Sequence, residues 1–319
     1  MARGPKNQLS QSAAWLLAVF GTLFVAAAVY LIFKLLDENR IKELEARDAE
    51  MRKTFTSLKQ RRFDRIEKEK IDDEERKKSE EQIGIQGQPK ADTYWSYEGS
   101  KGPFEWANLS SDYVICEHGK RQSPIDLVDP KPTPSLRSIK FNYKKQELYM
   151  ENNGNTLLIK VEDPENFIKH GKDKYILKEI TFHTPSEHYI DGAPYDMEIQ
   201  FHHQNKKFEF LNVSVFVDAI GGTHKLISNL WKDLPFNRDK MGASLRFNPR
   251  DLLPIKRRYF LYEGSMTVPP CTENTTWIVM REPIRISIRQ LDQFRGIIKQ
   301  NARPIQKRNG ITLKQSKSY

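Results

Sequence analysis

The chain has 319 residues, with 52 Lys and Arg against 42 Asp and Glu, and a mean hydropathy of −0.68. Length alone allows one large domain or two small ones. The composition is that of a soluble protein with one apolar exception. No internal repeat, low-complexity tract or nucleic-acid motif is present, which excludes repeat arrays and sequence-specific nucleic-acid readers.

The apolar exception comes first in the chain. After a short tail, 1–12, the run 13–33 carries no charge. At ~1.5 Å per residue it is long enough to cross a ~30 Å hydrocarbon core as a helix. Trp15 and Tyr30 stand near its ends, where interfacial aromatics anchor a span. A cleaved signal peptide has an apolar region of only ~7–15 residues, so the run predicts a retained single membrane anchor. Arg3 and Lys6 precede it and Lys34, Arg40, Lys42 and Arg47 follow it, so base counting leaves the orientation open.

Residues 34–83 are helix formers with dense mixed charge and no Pro or Gly. They predict a charged helical stalk, ~70 Å long if helical throughout. Ile41, Leu44, Met51, Phe55 and Leu58 form a partial apolar stripe, but the next heptad place is Arg65. A long coiled coil is therefore not expected. Either a solvated helix with intrahelical charge pairs or a short seam against a neighbouring helix fits the pattern. The segment 84–92, GIQGQPKAD, breaks the pattern and reads as a linker.

From residue 93 to 319 the pattern is mixed α/β and sheet-dominated. Strands are expected at 156–161, 176–183, 197–203, 208–217, 259–263 and 276–280. Helices are expected at 223–234 and 287–299. The stretch 180–200, ITFHTPSEHYIDGAPYDMEIQ, reads as two strands, the first ending near His183 and the second starting near Met197. Alternate residues of a strand share a face. Thr181 and His183 therefore point one way, as do Glu198, Gln200 and His202. Two such strands bearing three histidines would make a tetrahedral zinc site with one open position.

That stretch resembles the α-class carbonic anhydrases, whose pattern is FHFHTPSEHTING followed by ME-x-H. The resemblance continues through YWSYEG and GPFEW in 94–106, QSPIDL in 122–127, NNGNT in 152–156, SMTVPPCTENTTW in 265–277 and NARPIQKRNG in 301–310. It implies a single large twisted sheet, mostly antiparallel, with peripheral helices. It also implies hydration of carbon dioxide by a water bound to zinc on three histidines. The three ligand positions fall on Thr181, His183 and Gln200. Threonine and glutamine are poor zinc ligands, so no zinc and no catalytic residue is expected, and the protein is expected not to be an enzyme but a carbonic anhydrase pseudoenzyme.

By the same resemblance, Thr267 and Glu187 match the pair that orients the zinc-bound hydroxide, and Asn155 replaces the proton-shuttling histidine. His202 stands where the carbon dioxide wall is usually small and apolar, and Val268 replaces a second threonine. Val213, Met266 and Trp277 keep the apolar character of that wall. A salvage site remains conceivable from the residues themselves. His183 and His202 would supply two imidazoles, and Glu198 or Glu187 a carboxylate. Cys116 and Cys271 alone allow two free thiols, but the resemblance places both at the positions of a family disulfide. A bridge implies an oxidising space.

From residue 92 onward 34 bases face 27 acids. A surface for anionic lipid or an acidic partner is one reading of the surplus, and an ordinary soluble surface is the other. The sequons at Asn108 and Asn274 are open to glycosylation only on the secretory route, while Asn212 falls inside a strand. Taken together, the sequence predicts a zinc-free, membrane-tethered structural or binding subunit of a larger membrane complex. It would lie in the mitochondrial inner membrane facing the intermembrane space, or in the plasma membrane facing outside. The alternatives are a carbonic anhydrase with a rebuilt metal site, or a cell-surface adhesion or glycan-binding protein.

Overall fold

The structure, a computed structural model, describes residue 60 and residues 95–232, 234–235 and 240–317, with side chains except at 240–244. Among the described residues no helix is long and apolar enough to cross a membrane. The run 13–33, the linker 84–92 and all of the stalk but Gln60 lie outside them.

Fourteen strands are present in the described part: β1 (Lys131–Pro132), β2 (Phe141–Asn142), β3 (Gln146–Asn152), β4 (Leu157–Lys160), β5 (Phe167–His170), β6 (Asp173–His183), β7 (Tyr189–Ile190), β8 (Ala193–Pro194), β9 (Met197–Gln204), β10 (Phe210–Asp218), β11 (Lys240–Phe247), β12 (Tyr259–Ser265), β13 (Glu273–Arg285) and β14 (Lys314–Gln315). Twelve of them form one sheet in the order β1-β14-β12-β13-β10-β9-β6-β4-β3-β11, with β5 joining β2 to β6. The pairs β10/β13 and β1/β14 are parallel, and the others in the sheet are antiparallel. The sheet-dominated architecture expected from sequence is therefore present. The remaining pair, β7 and β8, forms a small hairpin between β6 and β9.

Alternation along the central strands separates two environments. Ile199 and Phe201 of β9, with Val213, Val215 and Val217 of β10, enter the main apolar core on one face. Helix α3 (Lys225–Leu230) contributes Ile227 and Leu230 there, and α4 (Ile288–Arg295) contributes Leu291 and Phe294. The α4 start is a capping box, with Ser287 and Gln290 exchanging side-chain and backbone hydrogen bonds. The opposite face carries the polar residues Thr181, His183, Glu198, Gln200 and His202, all buried. It also carries a second apolar cluster that includes Phe216, Tyr262 and Trp277.

Two expected helices are shorter than their apolar spacing suggested. The segment 223–234 keeps only Lys225–Leu230, and 287–299 keeps only Ile288–Arg295. Strand β13 is longer than expected: 275–280 pair with both β10 and β12, Glu273 pairs with Ser265 of β12, and Ile284 and Arg285 pair with the end of β10.

Short helices α1 (Trp106–Leu109) and α2 (Ile115–His118) precede β1. They pack Trp106 against Cys116 and Cys271. The two cysteines are bridged, tying α2 to the segment between β12 and β13 across 155 positions. Closing so long a loop contributes ~2–5 kcal/mol. Non-reducing peptide mapping is expected to recover a single cross-linked peptide pair holding Cys116 and Cys271, and reduction is expected to lower the melting temperature. Recovery of both thiols free would contradict the bridge.

Candidate functional site

The site is set by the register of three central strands. Thr181 of β6 lies opposite Gln200 of β9, and His202 of β9 lies opposite Asn212 of β10. Paired residues share a face, so these four side chains stand on one floor, beside His183. The parity puts Asn212, not Val213, next to His202. Val213 belongs to the core on the other face, which corrects its expected place in the wall.

Thr181 is the hub. Its Oγ1 lies 3.0 Å from His183 Nε2 and 2.8 Å from His202 Nε2. His183 Nδ1 lies 2.9 Å from the Asn301 carbonyl oxygen, which can only accept. Nδ1 of His183 thereby carries a proton, and in the tautomer with that proton alone Nε2 accepts. The single Thr181 hydroxyl proton goes to that nitrogen. His202 Nε2 must then donate to Thr181, and His202 Nδ1 is left as an acceptor. Burial, with the nearby His183 ring adding to it, lowers His202 to about 4, so the ring is neutral at pH 7.

Gln200 points its donor away from this hub. Its Nε2 donates to Glu187 Oε2 at 2.7 Å and to Glu198 Oε1 at 3.0 Å. Its Oε1 is buried without a partner. Burial alone would raise the Glu198 carboxyl. The His188 ring and backbone N–H and the Ser214 hydroxyl outweigh it, bringing Glu198 down to about 2. His188 continues inward to the Tyr262 hydroxyl at 2.6 Å, and Tyr262 to Ser123 at 2.8 Å.

Glu187 Oε1 accepts from the Arg303 backbone N–H at 3.0 Å. The Arg303 guanidinium is buried over Trp106 and donates to Gln122 Oε1 and the carbonyls of Ser123 and Cys116. Burial lowers it to about 10. Thr267 is buried, but among the described residues no hydrogen bond joins it to Glu187. The expected Thr267–Glu187 hydrogen bond is thus not formed among the described residues, where Glu187 accepts from Gln200 and from the Arg303 backbone N–H. Asn155 donates to the Trp95 carbonyl at 3.2 Å and lines a cavity of about 120 Å³ with Tyr97 and Lys299.

These positions can be set beside known proteins. A family model described as eukaryotic-type carbonic anhydrase matches residues 101–316. The chain belongs to the α-class carbonic anhydrase family. A carbonic anhydrase of Nostoc sp. is 36% identical over 221 residues, 67% of this chain and 83% of that protein. One from Neisseria gonorrhoeae is 34% identical over 68% of this chain and 86% of its own length. A solved hyperthermostable carbonic anhydrase from a hydrothermal vent chimney superposes with a TM-score of 0.66 at 34% identity, covering 70% of this chain and 100% of its own.

The expectation that the protein is not an enzyme is corrected by these findings. Relatives over two thirds of the chain bear the name carbonic anhydrase, so the class they point to is an enzyme class. The sequence argument rested on two side chains of one ligand set, whereas the class rests on the whole sheet domain.

The family's zinc is a separate question, and the side chains present do not fit it. A hydroxyl, an imidazole and an amide stand at the three ligand positions. The imidazole's lone pair is taken by Thr181, and the amide turns its donor to two carboxylates. The salvage set does not close either. His183 and His202 do converge on one hydroxyl, but Glu187 and Glu198 are engaged elsewhere. Among the described residues no group of three His, Cys, Asp or Glu is arranged for a metal.

Sequence reasoning placed His202 on the correct face but did not foresee its reach to Thr181, a diagonal contact that depends on the side-chain rotamer. It gave no site role to Arg303, His188 or Asn212, taking His188 as an ordinary polar position of the fold and Asn212 only as a strand residue. For Asn212 the signal was present, since a polar residue two before Ser214 in an otherwise apolar strand needs a polar face.

The geometry makes the ligand set testable. The Glu198 oxygen that accepts from Gln200 stands ready to accept Nδ1–H of an imidazole there, the second-shell arrangement that orients a zinc-bound histidine. Thr181→His with Gln200→His is expected to raise bound zinc to one per chain, read by elemental analysis after dialysis. A folded double variant without zinc would show that the strand facing is misassigned.

Proposed function

We propose that this carbonic anhydrase family member is a membrane-anchored structural and binding subunit of a larger membrane assembly. The observation that carries the reading is the Thr181 hub, where a hydroxyl bonded to both imidazoles takes the lone pair that a metal would use. The positions that hold zinc in the family are here linked to one another and to the β9–β10 network. Such a network serves rigidity. The uncharged run 13–33 and the charged stalk that follows support a tether, and the bridged Cys116–Cys271 pair supports an oxidising space. On this reading Thr181, His183 and Gln200 hold no zinc, and the partners are protein subunits beside a single membrane span. The basic surplus suits anionic lipid or an acidic neighbour. A mitochondrial intermembrane location and an extracellular one are both consistent with these features.

A second reading is favoured by the names of the relatives: hydration of carbon dioxide at a rebuilt centre. Zinc content and a hydration assay on one purified sample separate the two, because that chemistry needs a bound metal.

The first reading predicts that the full chain comigrates with a larger complex after mild detergent extraction. Deleting residues 1–58 is expected to release it, and His183→Ala to leave it bound. A lone monomer on native gels would overturn the scaffold reading. Loss of assembly in His183→Ala would shift the role to the cleft.

A further inference from the structure

Two segments hold the charge imbalance of the sheet domain. Residues 134–147 carry four bases against Glu147, and residues 245–258 carry five against Asp251. Nine bases and two acids leave a surplus of seven, which is the whole surplus of the chain from residue 92 onward. The rest of the domain is balanced.

The fold brings the two segments together. β11 pairs with β3, so that Phe247 faces Gln146 and Arg246 faces Glu147. The Arg246 guanidinium donates to the Lys145 carbonyl at 3.4 Å, and the Tyr259 hydroxyl to the Arg137 carbonyl at 2.7 Å. The Arg257 guanidinium lies 5.1 Å from the centre of the Phe141 ring. Ile139, Phe141, Tyr143, Phe247, Leu252 and Leu253 anchor both segments in the main core, which leaves the bases outside it. Among the described residues Lys144 is paired with Glu165 at 3.4 Å and Arg258 with Glu282, and the other seven bases have no ion pair. Glu147 accepts from the Tyr149 hydroxyl at 2.9 Å instead. Burial, with the neighbouring Arg250 adding to it, lowers Arg257. Like charges are thus held side by side, and an anionic partner would relieve their repulsion.

One apolar side chain stands among them. Ile255 is 100% exposed, in a bend between the buried Pro254 and the exposed Lys256. Alone, one bare isoleucine would mean little. This one stands in the segment that holds four of the unpaired bases. A bilayer offers anionic headgroups at its surface and hydrocarbon just below, and bases beside an apolar tip match the two layers.

We infer that the face formed by 134–147 and 245–258 docks the domain on an anionic bilayer surface, with Arg250, Lys256 and Arg257 among the headgroups and Ile255 inserted below them. The inference deepens the membrane-anchored reading and rests on it only for the nearness of a bilayer.

The test uses the full chain in lipid nanodiscs of phosphatidylcholine, with and without phosphatidylserine. Both cysteines of the chain are bridged, so Ile255→Cys gives a single site for a polarity-sensitive dye. Its emission is expected to move to shorter wavelength in the anionic discs and not in the neutral ones. The shift is expected to vanish at about 1 M salt, where the Debye length is ~3 Å. It is also expected to be lost when Arg250→Glu and Lys256→Glu, both at exposed positions, are added. A dye on Phe104→Cys, at a position 82% exposed beside Glu105, is expected to read the same in both discs. Equal emission from position 255 in both discs, a shift that survives charge reversal, or an equal response at position 104 would each overturn the face. A shift in neutral discs on adding polyglutamate, matching that given by phosphatidylserine, would name an acidic protein as the partner and overturn the bilayer. If the chain enters neither disc, the anchor reading fails by itself. Flotation with vesicles of the same two compositions then decides the face: binding to the anionic vesicles alone supports it, and binding to neither or to both overturns it.

Discussion

A threonine hydroxyl has one proton to donate, and at Thr181 two imidazole nitrogens compete for it. The Asn301 carbonyl settles the competition from the far side of His183, because it can only accept. From that one constraint the tautomers of both rings follow. The constraint is delivered by the β6–β9–β10 register, which brings Thr181, Gln200 and His202 to one face. A slip of one residue would turn all of them into the apolar core.

The fold tolerates this rebuilt floor because its main core lies on the other face. Ile199, Phe201, Val213 and Val215 pack there under α3 and α4, away from the polar side chains. The remaining polar burial is handled locally. Arg303 gives its guanidinium to backbone carbonyls and to Gln122, over the Trp106 ring. That clamp joins α2, the disulfide and the segment before β14, and it uses neither Thr181 nor Gln200.

Much of the fold was legible because its signals are local. The strands ending at His183 and starting at Met197 follow from alternation bounded by turn residues, and the structure has them as β6 and β9. The helix lengths were less legible, since apolar spacing continues into Ile297 and Ile298, which lie past the end of α4 in a turn closed by their N–H groups on the Phe294 carbonyl. In the site, the faces of Thr181, His183, Gln200 and His202 followed from period-two geometry. The place of Val213 was legible in the same way, since Asn212 and Ser214 mark the polar face of β10 and put Val213 on the other; its expected place in the wall came from the resemblance instead. The reach of His202 to Thr181 is a rotamer choice made by its neighbours, and no sequence pattern encodes it.

The fate of the Thr267–Glu187 pair shows why side-chain roles do not transfer position by position. An imidazole at 200 would offer one N–H behind the site. The amide of Gln200 offers two on a single nitrogen, and they reach Glu187 and Glu198 together. Glu187 Oε2 is thereby drawn to β9, while Oε1 is held by the Arg303 N–H. The carboxylate that the family directs at a threonine hydroxyl is here a strut between β9 and the C-terminal segment. One substitution thus changes two roles: it removes a ligand, and it retargets a carboxylate whose own residue is unchanged. Identity at Glu187 and Thr267 is preserved in the sequence, and their connection is not, because a connection depends on where the neighbours at Gln200 and Arg303 orient the carboxylate.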